Sequence, residues 1–199
     1  HVDDLPLPYQ KLIRTHVFER AHRGVLTGAE LTDVRVVLTA GRAHEKHTEG
    51  GDFREATYRA IRQGLMSAQS VLLEPFYRFE ILVPSSAVGR VLSDIPAMAG
   101  TFDPPETEGD QTRVCGRGPV ATFADYPTTL KALTRGEGGM TCFSDGYDLC
   151  HDADRVIEQT CYRAEGDLEQ TASSVFCSHG AGVTVPWNEA QAWMHCLKR

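Results

Sequence analysis

Between Gly41 and Asp52 the sequence reads GRAHEKHTEGGD, a polar run holding Arg42, His44, Lys46 and His47. Guanidinium, ammonium and imidazole groups donate hydrogen bonds to phosphates, and the flat ones stack on unpaired bases, so this pattern suits RNA contact. A solvated surface loop has the same composition. His44 and His47 with Glu45 and Glu49 also invite a metal reading, but two histidines three residues apart with no distant third ligand are thin support for zinc. A second candidate joins Cys177-Ser178-His179 to His195-Cys196, where thiol and imidazole from separate segments would meet as metal ligands or as nucleophile and base. Val175 and Phe176 beside Cys177 fit a buried strand instead, and the structural role is preferred. No residue is assigned as catalytic, cofactor-binding or metal-ligating.

Phosphoryl chemistry on a nucleotide needs a GxxxxGK[ST] loop whose amides cradle the phosphates, and the chain has none. Gly136-Glu137-Gly138-Gly139 is glycine-rich, but it falls between a helical and an extended segment and reads as a turn. This chain is therefore expected to be no enzyme by itself.

Composition narrows the classes further. Of 199 residues 41% are hydrophobic and 24% charged, and no apolar run approaches the length of a membrane span, so a cytoplasmic chain without membrane contact is expected. The net charge of -7 opposes a dedicated nucleic-acid binder. The acidity lies downstream, however: residues 1 to 70 carry 10 Lys and Arg against 9 Asp and Glu, with five of the eight His. Six Cys without a CxxC pair read as reduced, mostly buried thiols.

The elements that position these groups follow from periodicity. Tyr9, Leu12, Ile13, Val17 and Ala21 recur at helical spacing behind Pro6 and Pro8. Val-rich Leu31 to Leu38 predicts a strand, and Phe53, Ala56, Ala60, Ile61, Leu65 and Ala68 predict a second helix. Residues 1 to 70 thus read as a small α/β unit whose opening strand or strands are missing.

From Leu72 onward, Phe76 to Val83 alternates as a strand, and a helix runs through Val88, Val91, Leu92 and Ile95. An extended segment at Ala99 to Phe102 leads into an acidic turn at Pro104 to Asp110. Thr112 to Val120 returns as a strand, Asp125 and Pro127 open a helix with Leu130 and Leu133, and Gly138 to Phe143 closes the unit. The order βαββαβ predicts a ferredoxin-like antiparallel sheet with both helices on one face. Residues 151 to 199 read as a tail. In it Asp152 to Thr160 and Asn188 to Leu197 are helical, Ala164 to Ser174 is a polar loop, Val175 to Cys177 and Val183 to Val185 are short strands, and Trp187 and Trp193 act as anchors.

Several of these residues carry a family resemblance. Asp33-Val34-Arg35-Val36-Val37-Leu38, Gly41, His44, Phe53 and Val71-Leu72-Leu73-Glu74-Pro75 resemble elongation factor G from the tip of its fourth domain into its fifth. The 13 residues from Gly41 to Phe53 match without a gap the factor's GSYHDVDSSEMAF, with Gly, His and Phe in register. Further on, Phe123, Tyr126, Leu130, Leu133, Thr134, Gly136, Gly138, Thr141, Asp145 and Tyr147 fall in register with its fifth domain. The ending Gly51-Asp52-Phe53 is more similar to the tetracycline-resistance ribosomal protection proteins, which carry Ala-Asp-Phe there.

The resemblance implies an α+β chain: a truncated domain IV-like unit of the ribosomal protein S5 domain 2-like kind (1–70), a ferredoxin-like domain V (71–150) and a C-terminal extension (151–199). It implies a ribosome-binding region of a translational GTPase, a monomer. The tip loop with Arg42, His44, Lys46 and His47 would contact rRNA and tRNA at the decoding centre, and the second domain would lean on the large-subunit stalk base. GTP and Mg would belong to an upstream domain, with no cofactor in this chain. The alternative from the residues alone is a stand-alone ferredoxin-like regulatory or metabolite-binding module with a formed pocket in its second domain. A thiol or metal enzyme built on Cys177 and His179 is a third reading.

Overall fold

The structure, a computed structural model, describes residues 5–43, 48–178 and 180–194. Contacts divide the chain into two units, one formed by residues 1–70 with 154–199 and the other by residues 71–153.

The second unit is built on β1 (Leu73–Pro84), whose alternation places Phe79, Ile81 and Val83 on one face and Arg78, Glu80 and Leu82 on the other. β4 (Gln111–Pro119) and β5 (Gly139–Leu149) flank it, both antiparallel, and β2 (Thr101–Phe102) and β3 (Glu106–Glu108) pair with β4. The strand order β2-β4-β1-β5 is that of the ferredoxin-like arrangement expected from the sequence.

The helices α3 (Val88–Ala97), α4 (Val120–Phe123) and α5 (Tyr126–Leu133) supply Val91, Ile95, Phe123, Tyr126 and Leu130 to one apolar core with the inward residues of β1 and Val114 of β4. Phe123 stacks on Phe79 at 4.9 Å between ring centroids. The acidic turn becomes a tight hairpin between β3 and β4, reversed at Gly109, whose φ of 63° suits a residue without Cβ.

The first unit has two packed helices, α1 (Leu7–Phe18) and α2 (Gly50–Ser67), with Tyr9 stacked on Phe53 at 4.6 Å. Its further described elements are α6 (Ala153–Thr160), a short 3-10 turn (Ala164–Gly166), the hairpin of β6 (Ser174–Ser178) and β7 (Ala181–Val185), and the single turn α7 (Ala190–Trp193). The Val-rich segment 31–38 is not the strand that its composition predicts. No ladder partner reaches it among the described residues, and Val34, Val36 and Val37 stand 54%, 50% and 62% exposed. A strand is a paired object, and propensity without a partner leaves the backbone solvated.

The cysteines also depart from expectation. None of the five described is buried: Cys115, Cys142 and Cys150 are half-buried, and Cys161 and Cys177 are exposed, all as free thiols. Cys177 lies in β6, and a two-stranded ribbon cannot enclose both of its faces.

Among the described residues apolar burial in the first unit is sparse, with Leu5, Phe53, Ala172, Val185 and Ala190 as the buried hydrophobics, so polar contacts carry much of the cohesion. Arg62 of α2 is only 3% exposed. Its guanidinium donates to Arg23 O at 2.8 Å, to the Tyr162 hydroxyl at 2.7 Å and to Ala164 O at 3.2 Å. Tyr162 in turn donates to Asp167 at 2.7 Å, and Asp167 accepts from Arg23 at 3.2 Å. Arg59 donates to Ser173 O and Gln63 to Trp187 O, each at 2.7 Å. Trp187 donates its indole N–H to Glu165 at 2.9 Å and Trp193 lies beside Phe176 at 6.1 Å, so both rings pack within the tail itself, and it is the Trp187 carbonyl, through Gln63, that reaches α2.

Asp167 gives this network a pH dependence. Burial raises its pKa, but hydrogen bonds from the Gln170 amide, the Tyr162 hydroxyl, Arg23 and the Glu169 amide outweigh that and lower it to about 2 from 3.8. A depressed carboxylate contributes stability that is full above its unfolded value and is lost as pH falls through its folded value. Stability of the first unit is therefore expected to fall by about 1–2 kcal/mol between pH 4 and pH 2 through this one group. Both tryptophans of the chain, Trp187 and Trp193, belong to this unit, so urea unfolding followed by their fluorescence reads it selectively. Asp167→Asn should flatten the dependence, and an unchanged acid slope would refute the assignment.

Candidate functional site

The loop between Gly41 and Asp52 is fixed at both ends. At its entry, a Cβ on Gly41 would lie 2.7 Å from Leu5 Cδ2, and Leu5 is 1% exposed, so the backbone passes directly over a buried side chain. At its exit, Glu49 caps α2. Its side chain takes the backbone amide of Asp52, and the Asp52 carboxylate accepts the Glu49 amide at 2.9 Å, a reciprocal capping box. Phe53 then buries its ring against Tyr9. Two of the three residues held in family register thus have physical duties: Gly41 allows a close approach and Phe53 sets the first turn of α2.

Of the sequence-predicted contact residues, Arg42 is exposed just beyond the Gly41 anchor. His44, Lys46 and His47 lie outside the described residues, as do His179, His195 and Cys196 of the thiol reading. Glu49, considered as a metal ligand, is occupied as a helix cap.

A cleft of about 200 Å³ opens in the same unit, lined among others by Arg20, His22, Tyr58, Arg59, Arg62 and Gln170. Its cations are engaged. Arg20 lies over the Tyr58 ring at 3.5 Å, Arg59 and Arg62 hold backbone carbonyls, and Gln170 donates to Ala21 O at 3.0 Å. The cleft belongs to the fastening of the unit, and its place in the first unit gives the pocket-in-the-second-domain alternative no support.

On the second unit, Arg117 of β4 bonds Asp145 and Asp148 and lies 4.3 Å above the Phe76 ring. Hydrogen bonding to Asp148 and Asp145 raises the Arg117 pKa, and the Arg117 guanidinium holds Asp148 below its ordinary value. Phe143 stands 53% exposed on the sheet face that the helices leave uncovered. Sequence reasoning missed a further group. Glu74, Cys150 and His151 bring carboxylate, thiol and imidazole donor atoms within 4.8 Å of one another. A separation of 77 residues between Glu74 and His151 leaves no local signal, and only the register of β1 with β5 joins them.

The order of the two units, the ferredoxin-like sheet and the anchored loop together define the C-terminal module pair of an elongation factor. Family models agree: "Elongation factor G, domain IV" matches residues 3–69 and "Elongation factor G C-terminus" matches residues 71–156. The chain belongs to the elongation factor G family, of which it carries these two domains. It is 34% identical over 146 residues to the tetracycline resistance protein TetP of Clostridium perfringens, covering 73% of this chain and 22% of that protein. It is 34% identical over 137 residues to elongation factor G 2 of Syntrophomonas wolfei, covering 69% and 20%. It is 32% identical over 159 residues to elongation factor G of Aquifex pyrophilus, covering 79% and 23%. A crystal structure of a Thermus thermophilus protein superposes with a TM-score of 0.69 at 31% identity, over 79% of this chain and 24% of that one. The chain thus spans about a fifth to a quarter of the length of these relatives. Among the described residues, no helix is long and apolar enough to cross a membrane.

Proposed function

We propose that this chain is the ribosome-binding region of a translational GTPase of the elongation factor G and tetracycline-resistance type, and that its loop from Gly41 to Asp52 makes the RNA contact. The observation that carries the reading is the loop itself. A polar, His- and Arg-bearing segment is held at Gly41 by Leu5 and at Glu49 by the capping box, directly ahead of a family helix. The two described ends of the loop are thereby tied to the helical pair of the first unit. Nucleotide chemistry, with GTP and Mg, would be the work of an upstream domain. The role of this chain is steric and electrostatic: Arg42, His44, Lys46 and His47 address phosphates and unpaired bases at the decoding centre, and the ferredoxin-like unit leans on the stalk base of the large subunit. The region acts as a monomer in the cytoplasm.

The capping box dictates how this is tested. Replacing 42–47 by Gly and Ser while keeping Gly41, Glu49 and Asp52 removes the donors and leaves the α2 cap. Co-sedimentation with ribosomes at low salt is expected to weaken about tenfold, roughly 1.4 kcal/mol, with an unchanged unfolding midpoint. Equal binding by the two proteins would refute the loop assignment. Absence of ribosome binding by the parent chain would refute the wider reading and favour a stand-alone module.

A further inference from the structure

We propose that Glu74, Cys150 and His151 form a binding site for one thiophilic divalent cation of the zinc class. Their donor atoms converge within 4.8 Å, and all three residues lie in the second unit. The strand register prepares the site. Leu73 pairs with Leu149 and Glu74 with Asp148, and the Cys150 amide donates to Leu72 O at 2.9 Å. The first strand and the departing chain are thereby clamped side by side where the donors stand.

The Glu74 side chain is only 10% exposed and its Oε1 accepts from both the backbone amide and the Nδ1 of His151, each at 2.7 Å. A carboxylate and an imidazole explain each other as a pin across the sheet end. The half-buried Cys150 thiol adds nothing to such a pin, yet it offers its sulfur to the same point.

The donor set suits the cation. Carboxylate and thiolate together neutralise a dication, and imidazole completes a mixed O, S, N trio that favours zinc over calcium or magnesium. Binding releases the thiol proton to solvent, and the imidazole carries its proton on Nε2 while Nδ1 faces the metal. Three protein ligands leave one tetrahedral position for water. Since the Glu74 oxygen and Nδ1 now sit at hydrogen-bond distance, the ion enters by replacing that bond with two metal bonds.

Co²⁺ reports directly on sulfur ligation. The full chain, purified without chelator and kept reduced, should take up one equivalent of Co²⁺ with a near-ultraviolet sulfur-to-metal band that Zn²⁺ abolishes by displacement. Cys150→Ser should lose the band, whereas Cys177→Ser, in the other unit, should keep it. His151→Gln preserves a hydrogen-bond donor beside Glu74 and the thiolate, so the band should persist with affinity reduced more than the tenfold or so that loss of an outer supporting hydrogen bond costs. No band in the parent chain, a band that survives Cys150→Ser, or unchanged affinity in His151→Gln would each overturn the site.

Discussion

Replacing Gly116 by Ala is expected to destabilise the second unit by about 3 kcal/mol or more, the upper end of what overpacking costs. Gly116 sits in β4 opposite both Phe79 of β1 and Phe102 of β2. A Cβ there would enter the Thr101 carbonyl oxygen well inside van der Waals contact and lie 2.5 Å from Phe79 Cζ. The Phe79 ring is held by its stack on Phe123, and Thr101 is backbone, so neither neighbour yields without moving β2 or the core. For Gly118, two residues on, the three nearest atoms to a Cβ all belong to the Phe123 ring, a side chain rather than backbone, and Gly139 has open space. The order of damage should therefore be Gly116→Ala, then Gly118→Ala, with Gly139→Ala near neutral. Phe123→Leu should relieve part of the Gly118→Ala cost by making room, whereas Phe79→Leu should not rescue Gly116→Ala. Because the unit holds no tryptophan, amide hydrogen exchange of β1 and β4 under increasing urea is the measurement. Protection in Gly116→Ala within 1 kcal/mol of the parent would refute this account.

The contrast between the two units explains what the sequence could and could not reveal. In the second unit, burial alternates along β1 at Phe79, Ile81 and Val83 and recurs at helical spacing at Val91 and Ile95. These are local periods that mirror a face, so strand, helix and topology are readable from neighbours in the chain. Leu31 to Leu38 has comparable propensity but no ladder partner among the described residues, and pairing is information that a segment does not carry. The loop Gly41 to Asp52 was legible through register. Gly41 and Phe53 are pinned by Leu5 and Tyr9, so its length is set by packing at both ends.

What the sequence hid is long-range polar bonding. Ala164 to Ser174 reads as an ordinary hydrophilic loop, yet Asp167 meets Arg23 across 144 positions and Ser173 meets Arg59 across 114. No hydrophobic period marks such contacts, because hydrogen-bond partners need only arrive at one place. Glu74 and His151 were missed for the same reason. The first unit, poor in buried apolar side chains, depends on contacts of this kind, and its weakest point is where several share one donor.

Arg62 is that point. Arg62→Ala is expected to lower the stability of the first unit by about 3 kcal/mol, since it strips donors from Arg23 O, Ala164 O and the Tyr162 hydroxyl at once. Net gains of about 1.5–3 kcal/mol per hydrogen bond to a charged group set the scale, and partial rehydration of the vacated site offsets part of the total. Arg62→Met, of similar length, restores packing but no donor and should recover little. Tyr162→Phe removes the relay to Asp167 while leaving both carbonyl contacts, for about 1 kcal/mol. The two changes share a bond, so the double variant should cost less than the separate losses combined. Trp187 and Trp193 fluorescence during urea unfolding reads this unit, and hydrogen exchange at β1 reports the other, which should be unmoved. If Arg62→Ala shifted both units equally, or shifted the tryptophan transition by less than 1 kcal/mol, cohesion of the first unit would have to come from its few buried apolar residues instead.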